Sequence, residues 1–134
     1  MAKEAPTFSV ALDDGGGTAR TISNDVENID LATPRGIQDI TGVNKTSIER
    51  LLLLADYSCG LGGTFNDAAN MSHDVLKTVP STSTTRTLTL IASGQTLACE
   101  VLVTDYALTK AREGSLVWRA PCLGQGTTDP PTWA

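Results

Sequence analysis

The stretch RTLTLIASGQTLACEVLVTD, residues 86–105, decides the fold class. Two runs rich in Leu, Val and Thr flank Ser93-Gly94-Gln95, a short turn that contains glycine. That is the pattern of an antiparallel β-hairpin. Side chains alternate across a strand with a period of two. Leu88, Leu90 and Ala92 therefore share one face, as do Leu97, Cys99, Val101 and Val103. The opposite face carries Thr87, Thr89, Glu100 and Thr104. The apolar face must be core, so the other meets external solvent, a neighbouring subunit or a water-filled channel.

Outward from this hairpin the same period recurs. Residues 7–12 alternate well enough for a strand, ended by the turn chemistry of Asp13-Asp14-Gly15-Gly16-Gly17. Residues 56–66 place Tyr57, Cys59, Leu61 and Phe65 on one face, with Gly60, Gly62 and Gly63 permitting a bulge or a close backbone approach. Residues 115–120 form another strand after the turn Ala111-Arg112-Glu113-Gly114, with Leu116 and Trp118 inward. Residues 13–46 are polar and read mostly as a long loop, with room for strands near 19–23 and 26–32. Long irregular stretches in compact domains are usually functional.

One principal helix is predicted over about 46–55. Thr46-Ser47-Ile48-Glu49 has the form of a capping box, and Ile48, Leu51, Leu52 and Ala55 follow at helical spacing. A partner-binding helix is one reading of this leucine run; a helix flanking a sheet is the plainer one. A short helical turn at about 72–78 stops before Pro80. The tail 124–134 is rich in Gly, Pro and Thr, and its Trp133 is expected to dock rather than stand in water. The expected architecture is mainly β: two packed antiparallel sheets, sandwich- or barrel-like, with one flanking helix, in a single domain spanning 1–134.

Composition removes several function classes. No apolar run approaches the roughly 18 residues of a membrane span. Met1-Ala2-Lys3-Glu4-Ala5-Pro6 lacks the apolar centre of a secretion signal, so synthesis in a cytosol is the expectation. The net charge of −5 lies mostly in residues 1–40, where Glu4, Asp13, Asp14, Asp25, Glu27, Asp30 and Asp39 face only Lys3, Arg20 and Arg35. Such a chain has no basic stripe for gripping phosphates, although nucleic acid could pass without sticking.

Cys59, Cys99 and Cys122 are widely spaced with no CxxC, which fits buried reduced thiols better than a zinc site. The sole histidine, His73, adjoins Asp74, but neighbours on a helical turn diverge and no GxSxG elbow accompanies them. A capping or surface histidine is the plainer assignment. Gly60-Leu61-Gly62-Gly63 and Gly124-Gln125-Gly126 lack the Lys-Ser/Thr of a phosphate cradle. Asp13-Asp14-Gly15 lacks the alternating oxygens of a calcium loop. No catalytic, cofactor or metal residue is assigned, so an enzyme reading has no parts to work with, and the chain is expected not to be an enzyme.

Many short segments, spread in order over the chain, resemble phage major tail proteins. They are Asp25-Val26, Thr33-Pro34-Arg35-Gly36, Gln38-Asp39-Ile40-Thr41-Gly42, Glu49-Arg50-Leu51, Gly63-Thr64-Phe65-Asn66-Asp67, Ser72-His73-Asp74-Val75, the run Glu100 to Tyr106, and Pro131-Thr132-Trp133. The resemblance is to the major tail tube protein of long-tailed, non-contractile bacteriophages, the siphophage tail tube family. It implies six-fold rings that stack into a tube, part of a virion tail assembled in a bacterial cytoplasm. The lumen would hold a tape-measure protein and later pass DNA, and tail terminator and tail-tip proteins would be further partners. It also implies no catalytic residues and no cofactor. On this reading Thr87, Thr89, Glu100 and Thr104 are candidates to line the lumen. Asp13, Asp14, Glu27, Asp30 and Trp133 are candidates for contacts between rings, within the loop 13–46 and the tail 124–134. A capsid decoration protein or head–tail adaptor is the alternative, sharing size, β content and acidity.

Overall fold

The computed structural model of the chain describes residues 8–125 and 132–134. The strands among them are β1 (Phe8–Asp13), β2 (Ala19–Thr21), β3 (Val26–Ala32), β4 (Arg35–Asp39), β5 (Arg50–Ala55), β6 (Ser58–Thr64), β7 (Arg86–Ala92), β8 (Gln95–Val103), β9 (Ala107–Lys110) and β10 (Leu116–Gly124); one short helix, α1 (Ser72–Leu76), lies between β6 and β7. The pairing is antiparallel throughout and gives two sheets. The larger runs β2-β1-β7-β8-β10-β6-β3, with β9 on β10, and the smaller is the β4–β5 hairpin.

The hairpin of 86–105 forms as its pattern dictates. β7 and β8 pair from Arg86↔Val101 to Ala92↔Gln95. Ser93 and Gly94 both have positive φ, 50° and 82°, the backbone of the two-residue turn whose twist matches paired strands. The inward residues Leu88, Leu90, Leu97 and Val101 are fully buried. They join Val10 and Leu12 of β1, Cys59 and Leu61 of β6, and Trp118, Ala120 and Cys122 of β10 in one core cluster. No second sheet covers that face, so burial on both wings requires the large sheet to fold over itself. β8 is the strand at the bend: residues 95–101 pair with β7, and residues 101–103 pair with β10.

The helix α1 plugs one end of this core with Val75 and Leu76, both fully buried. Asp25 fixes its start, accepting from the Ser72 N–H and from Asn66 Nδ2, each at 3.0 Å. Arg86, 2% exposed, ties three segments together from inside. Its guanidinium donates to the carbonyls of Val75 (2.7 Å) and Asp13 (3.2 Å) and to the hydroxyls of Thr78 (3.0 Å) and Thr82 (3.4 Å). Burial lowers its pKa below the usual arginine value. His73 is half-buried beside Phe65 and Tyr106, with its Nδ1 3.1 Å from the Tyr106 hydroxyl, so it is an aromatic-packing residue and not a surface one. Cys59 and Cys122 are buried and Cys99 half-buried, all as free thiols. Burial pushes Cys59 up to about 11 and Cys122 up to about 12, and raises Cys99 as well.

The principal helix expected over 46–55 does not form. Residues 50–55 are strand β5, paired to β4 in the register Ile37↔Leu52, Gln38↔Leu51 and Asp39↔Arg50. An apolar stripe at helical spacing makes a helix only where a core face receives it, and every residue of β5 is exposed. The unbroken run Leu51–Leu54 has no period of its own, so the available partner strand decides. The capping-box residues serve the hairpin tip instead: the Glu49 N–H donates to the Thr41 hydroxyl at 2.8 Å, and Lys45 pairs with Glu49 at 3.3 Å. The fold class is otherwise as expected, mainly β with two antiparallel sheets and one short helix, and the smaller sheet is the β4–β5 hairpin. The segment 13–46 is also less irregular than expected, since it holds β2, β3 and β4.

Candidate assembly surfaces

Three of the four residues expected to share an outward face do so. Thr87 and Glu100 are direct cross-strand partners, and the Thr87 hydroxyl donates to the Glu100 carboxylate. Thr89 lies two residues along β7, opposite Ala98. Thr104 lies just past the end of β8, where its N–H donates to the Pro121 carbonyl at 3.0 Å. The face gains Asp13 from β1, whose carboxylate accepts from the Thr87 N–H at 3.2 Å. Two carboxylates thus flank Thr87. Ile91 interrupts the polar character at the far end of β7, where it is exposed.

The five residues named for contacts between rings are dispersed. Asp13 belongs to the face just described. Asp14 is consumed within its own turn: its carboxylate accepts from Gly16 and Thr18 N–H groups at 2.9 and 3.0 Å and meets Arg20 Nε at 3.2 Å. The Thr18 bond leads the effects that lower its pKa. Glu27 and Asp30 sit on β3, the opposite edge of the sheet, where Glu27 accepts from the Thr64 hydroxyl. Trp133 bridges to Leu97, while Ala134 exchanges two 2.8 Å hydrogen bonds with Thr96. The end of the chain therefore runs along β8, leaving the indole 46% exposed. Residues 126–131 of the tail lie outside the described residues.

The most conspicuous surface is one the sequence reading assigned to a helix. Residues 33–56 form an arm in which only Thr41 is even partly sheltered. The arm is internally well bonded: Arg35 Nε donates to the Leu53 carbonyl at 2.9 Å, Ile40 N–H to Glu49 O at 3.0 Å, and Asp56 N–H to Pro34 O at 2.8 Å. At the turn into its tip, the Thr41 hydroxyl and N–H donate to Asp39, which lowers that carboxyl's pKa. Arg35, Lys45 and Arg50 balance Asp39, Glu49 and Asp56, so the arm is neutral while the body holds the whole excess of negative charge. Its exposed apolar residues are Ile37, Ile40, Val43, Ile48 and Leu51 to Leu54, with Leu54 at 92%. Successive residues of a strand alternate between its faces, so this aliphatic surface lies on both sides of the hairpin. A four-leucine run whose flanks supply no core was the available signal.

No family model and no curated protein matches the chain in sequence. Solved structures do match its fold. A chain from the tail of an empty gene transfer agent particle, refined with helical C6 symmetry, superposes with a TM-score of 0.77 at 15% identity over 95% of both chains. A chain of the native gene transfer agent virion gives 0.78 at 13% over 99% of both. One from the sheath/tube terminator of an extracellular contractile injection system gives 0.71 at 10% over 99% of both. The chain carries a tail tube fold. At these identities the likeness speaks to the fold alone. It reaches tail particles of more than one kind, so it does not single out the siphophage family.

Proposed function

We propose that the chain is the structural subunit of a tail tube, of the non-contractile long-tailed kind its sequence resembles, and that copies associate into six-fold rings stacked around a channel. The arm carries this reading. Eight large aliphatic residues left in water on one projection would make an isolated chain prone to aggregate, and exposed apolar surface of that kind marks a protein–protein contact. The fold likeness to a C6-symmetric tail supports the geometry. With a radius of gyration of roughly 14 Å, one copy cannot enclose a duplex, so a channel for DNA needs several. The face of Asp13, Thr87, Thr89 and Glu100 is the lumen lining on this reading. Its carboxylates give DNA phosphates nothing to neutralise, which suits a duct for a tape-measure protein and then for DNA. Terminator and tip proteins would close the two ends.

Negative-stain microscopy and light scattering of the purified protein test the proposal. Rings or tubes are expected, and Leu52→Asp should abolish them without changing the fold, because Leu52 touches no core. A strictly monomeric wild-type protein at high concentration would overturn it.

A further inference from the structure

The arm needs a receiving surface, and the register of the large sheet indicates where it lies. Ala32 of β3 is opposite Ser58 of β6, Ser58 is opposite Leu123 of β10, and Leu123 is opposite Leu102 of β8. Directly opposed residues share a face, and all four point away from the core, because Leu31, Cys59, Cys122, Val101 and Val103 point into it or against it. The row crosses four strands, about 14 Å at the usual strand spacing, and holds no charge. Its two leucines are cross-strand neighbours that shelter only each other, leaving Leu102 37% and Leu123 49% exposed. The row also lies at the root of the arm, since the chain leaves the body after Ala32 and returns at Ser58.

We infer that this shelf of Leu102, Leu123, Ser58 and Ala32 receives the arm of a second copy of the chain. The inference rests on the tube reading above and adds its contact. A copy's own arm does not cover its shelf: the arm is rooted at the shelf's edge and every one of its apolar residues stays exposed. About eleven residues separate the root from the tip, which gives a reach of roughly 30 Å in strand geometry. That is comparable to the diameter of a domain this size, so an arm spans to the next copy. The shelf row holds no charge and the arm has none in excess, so the two join without stranding a net charge, whereas the face of Asp13 and Glu100 would set carboxylates against the arm's leucines. Glu100 and Leu102 have the same parity on β8, so the lumen face passes into the shelf at the end of that strand, past the bend.

Disulfide trapping tests the placement. Leu52→Cys and Leu123→Cys proteins are mixed, assembled and oxidised with copper phenanthroline, with wild type as the control for the native thiols. A cross-linked dimer in the mixture, absent from wild type and from either variant alone, is the expected result. Leu123→Asp should prevent tubes while its melting curve stays that of the wild-type monomer. Tubes that form with no mixed cross-link, or cross-linking of Leu52→Cys alone, would overturn the shelf and leave the tube reading standing. Wild-type protein that never assembles would overturn the tube reading itself.

Discussion

Replacing Arg86 with Met probes the centre of the subunit. Met keeps much of the apolar stem and removes the guanidinium, which leaves the carbonyls of Val75 and Asp13 without their buried donor. Hydrogen bonds from a charged group contribute about 1.5–3 kcal/mol each. Two such bonds lost, together with weaker ones to Thr78 and Thr82, suggest about 4–6 kcal/mol. Against this, Arg86 bears a desolvation cost that Met does not, because no carboxylate among the described residues pairs with it directly and burial already lowers its pKa. The net loss should be about 3 kcal/mol. For a domain with a urea dependence of about 1.5 kcal/mol per molar, the midpoint should fall by about 2 M. Urea unfolding of an assembly-blocked variant such as Leu52→Asp, with and without Arg86→Met, measures this without interference from tubes. A midpoint lowered by less than about 0.5 M would mean that the guanidinium clamps nothing.

Two glycines of β6 should behave oppositely. A Cβ on Gly63 would stand 1.7 Å from the Asp25 carbonyl oxygen, so Gly63→Ala should give insoluble or unfolded protein, whereas Gly60→Ala has its nearest neighbour at 3.9 Å and should keep or raise the melting temperature; equal behaviour would refute the close approach. Alkali should destabilise the fold through the thiols. Cys122 is raised from 9.0 to about 12 by burial, so its protonated form favours the folded state, fully below pH 9, and that contribution disappears as pH climbs towards 12. Denaturation midpoints that do not fall between pH 9 and 11, more steeply than in Cys122→Ala, would contradict it. Glu100→Lys should convert the proposed lumen lining into one that retains DNA, each six-fold ring gaining roughly twelve units of positive charge in total. Salt-sensitive retention of short duplexes by assembled tubes is the readout, and tubes that elute free of DNA at low salt would remove Glu100 from the lumen.

What was legible in the sequence is what the core dictates. In 86–105 and 57–61 a two-residue period maps onto buried and open faces, because one side of each strand has a core to meet. The site residues Thr87 and Glu100 were found together for the same reason. The arm was misread because its surface answers to something outside the subunit. Leu51 to Leu54 carry no alternation, and their partner strand, Arg35–Asp39, has the composition of a loop. A helix was then the reading that supplied the leucines with a core they do not have. Arg86 is a different case: it lies in phase with Leu88 and Leu90, yet a charged side chain at that position gave no reason to expect it inside. What a buried guanidinium would hold there depends on Val75, Thr78 and Asp13, which only the folded chain brings together. The shelf, likewise, is a product of register across four strands and is invisible in any one of them.

The arm and the shelf also constrain what assembly can look like. They are different surfaces, so their union is heterologous and not a two-fold contact. A dimer formed through them buries one arm and one shelf and leaves one of each in water. No finite open chain removes that exposure; only closure into a ring or continued stacking does. The neutral arm and the acidic body divide the labour accordingly. On the proposed assembly the apolar arm and shelf would join copies, while Asp13 and Glu100 would stay on the stretch of sheet proposed to see DNA. An isolated subunit therefore has its incompletely covered apolar surface where partners are needed, and a completed tube exposes it only at its ends. That is where terminator and tip proteins would be required.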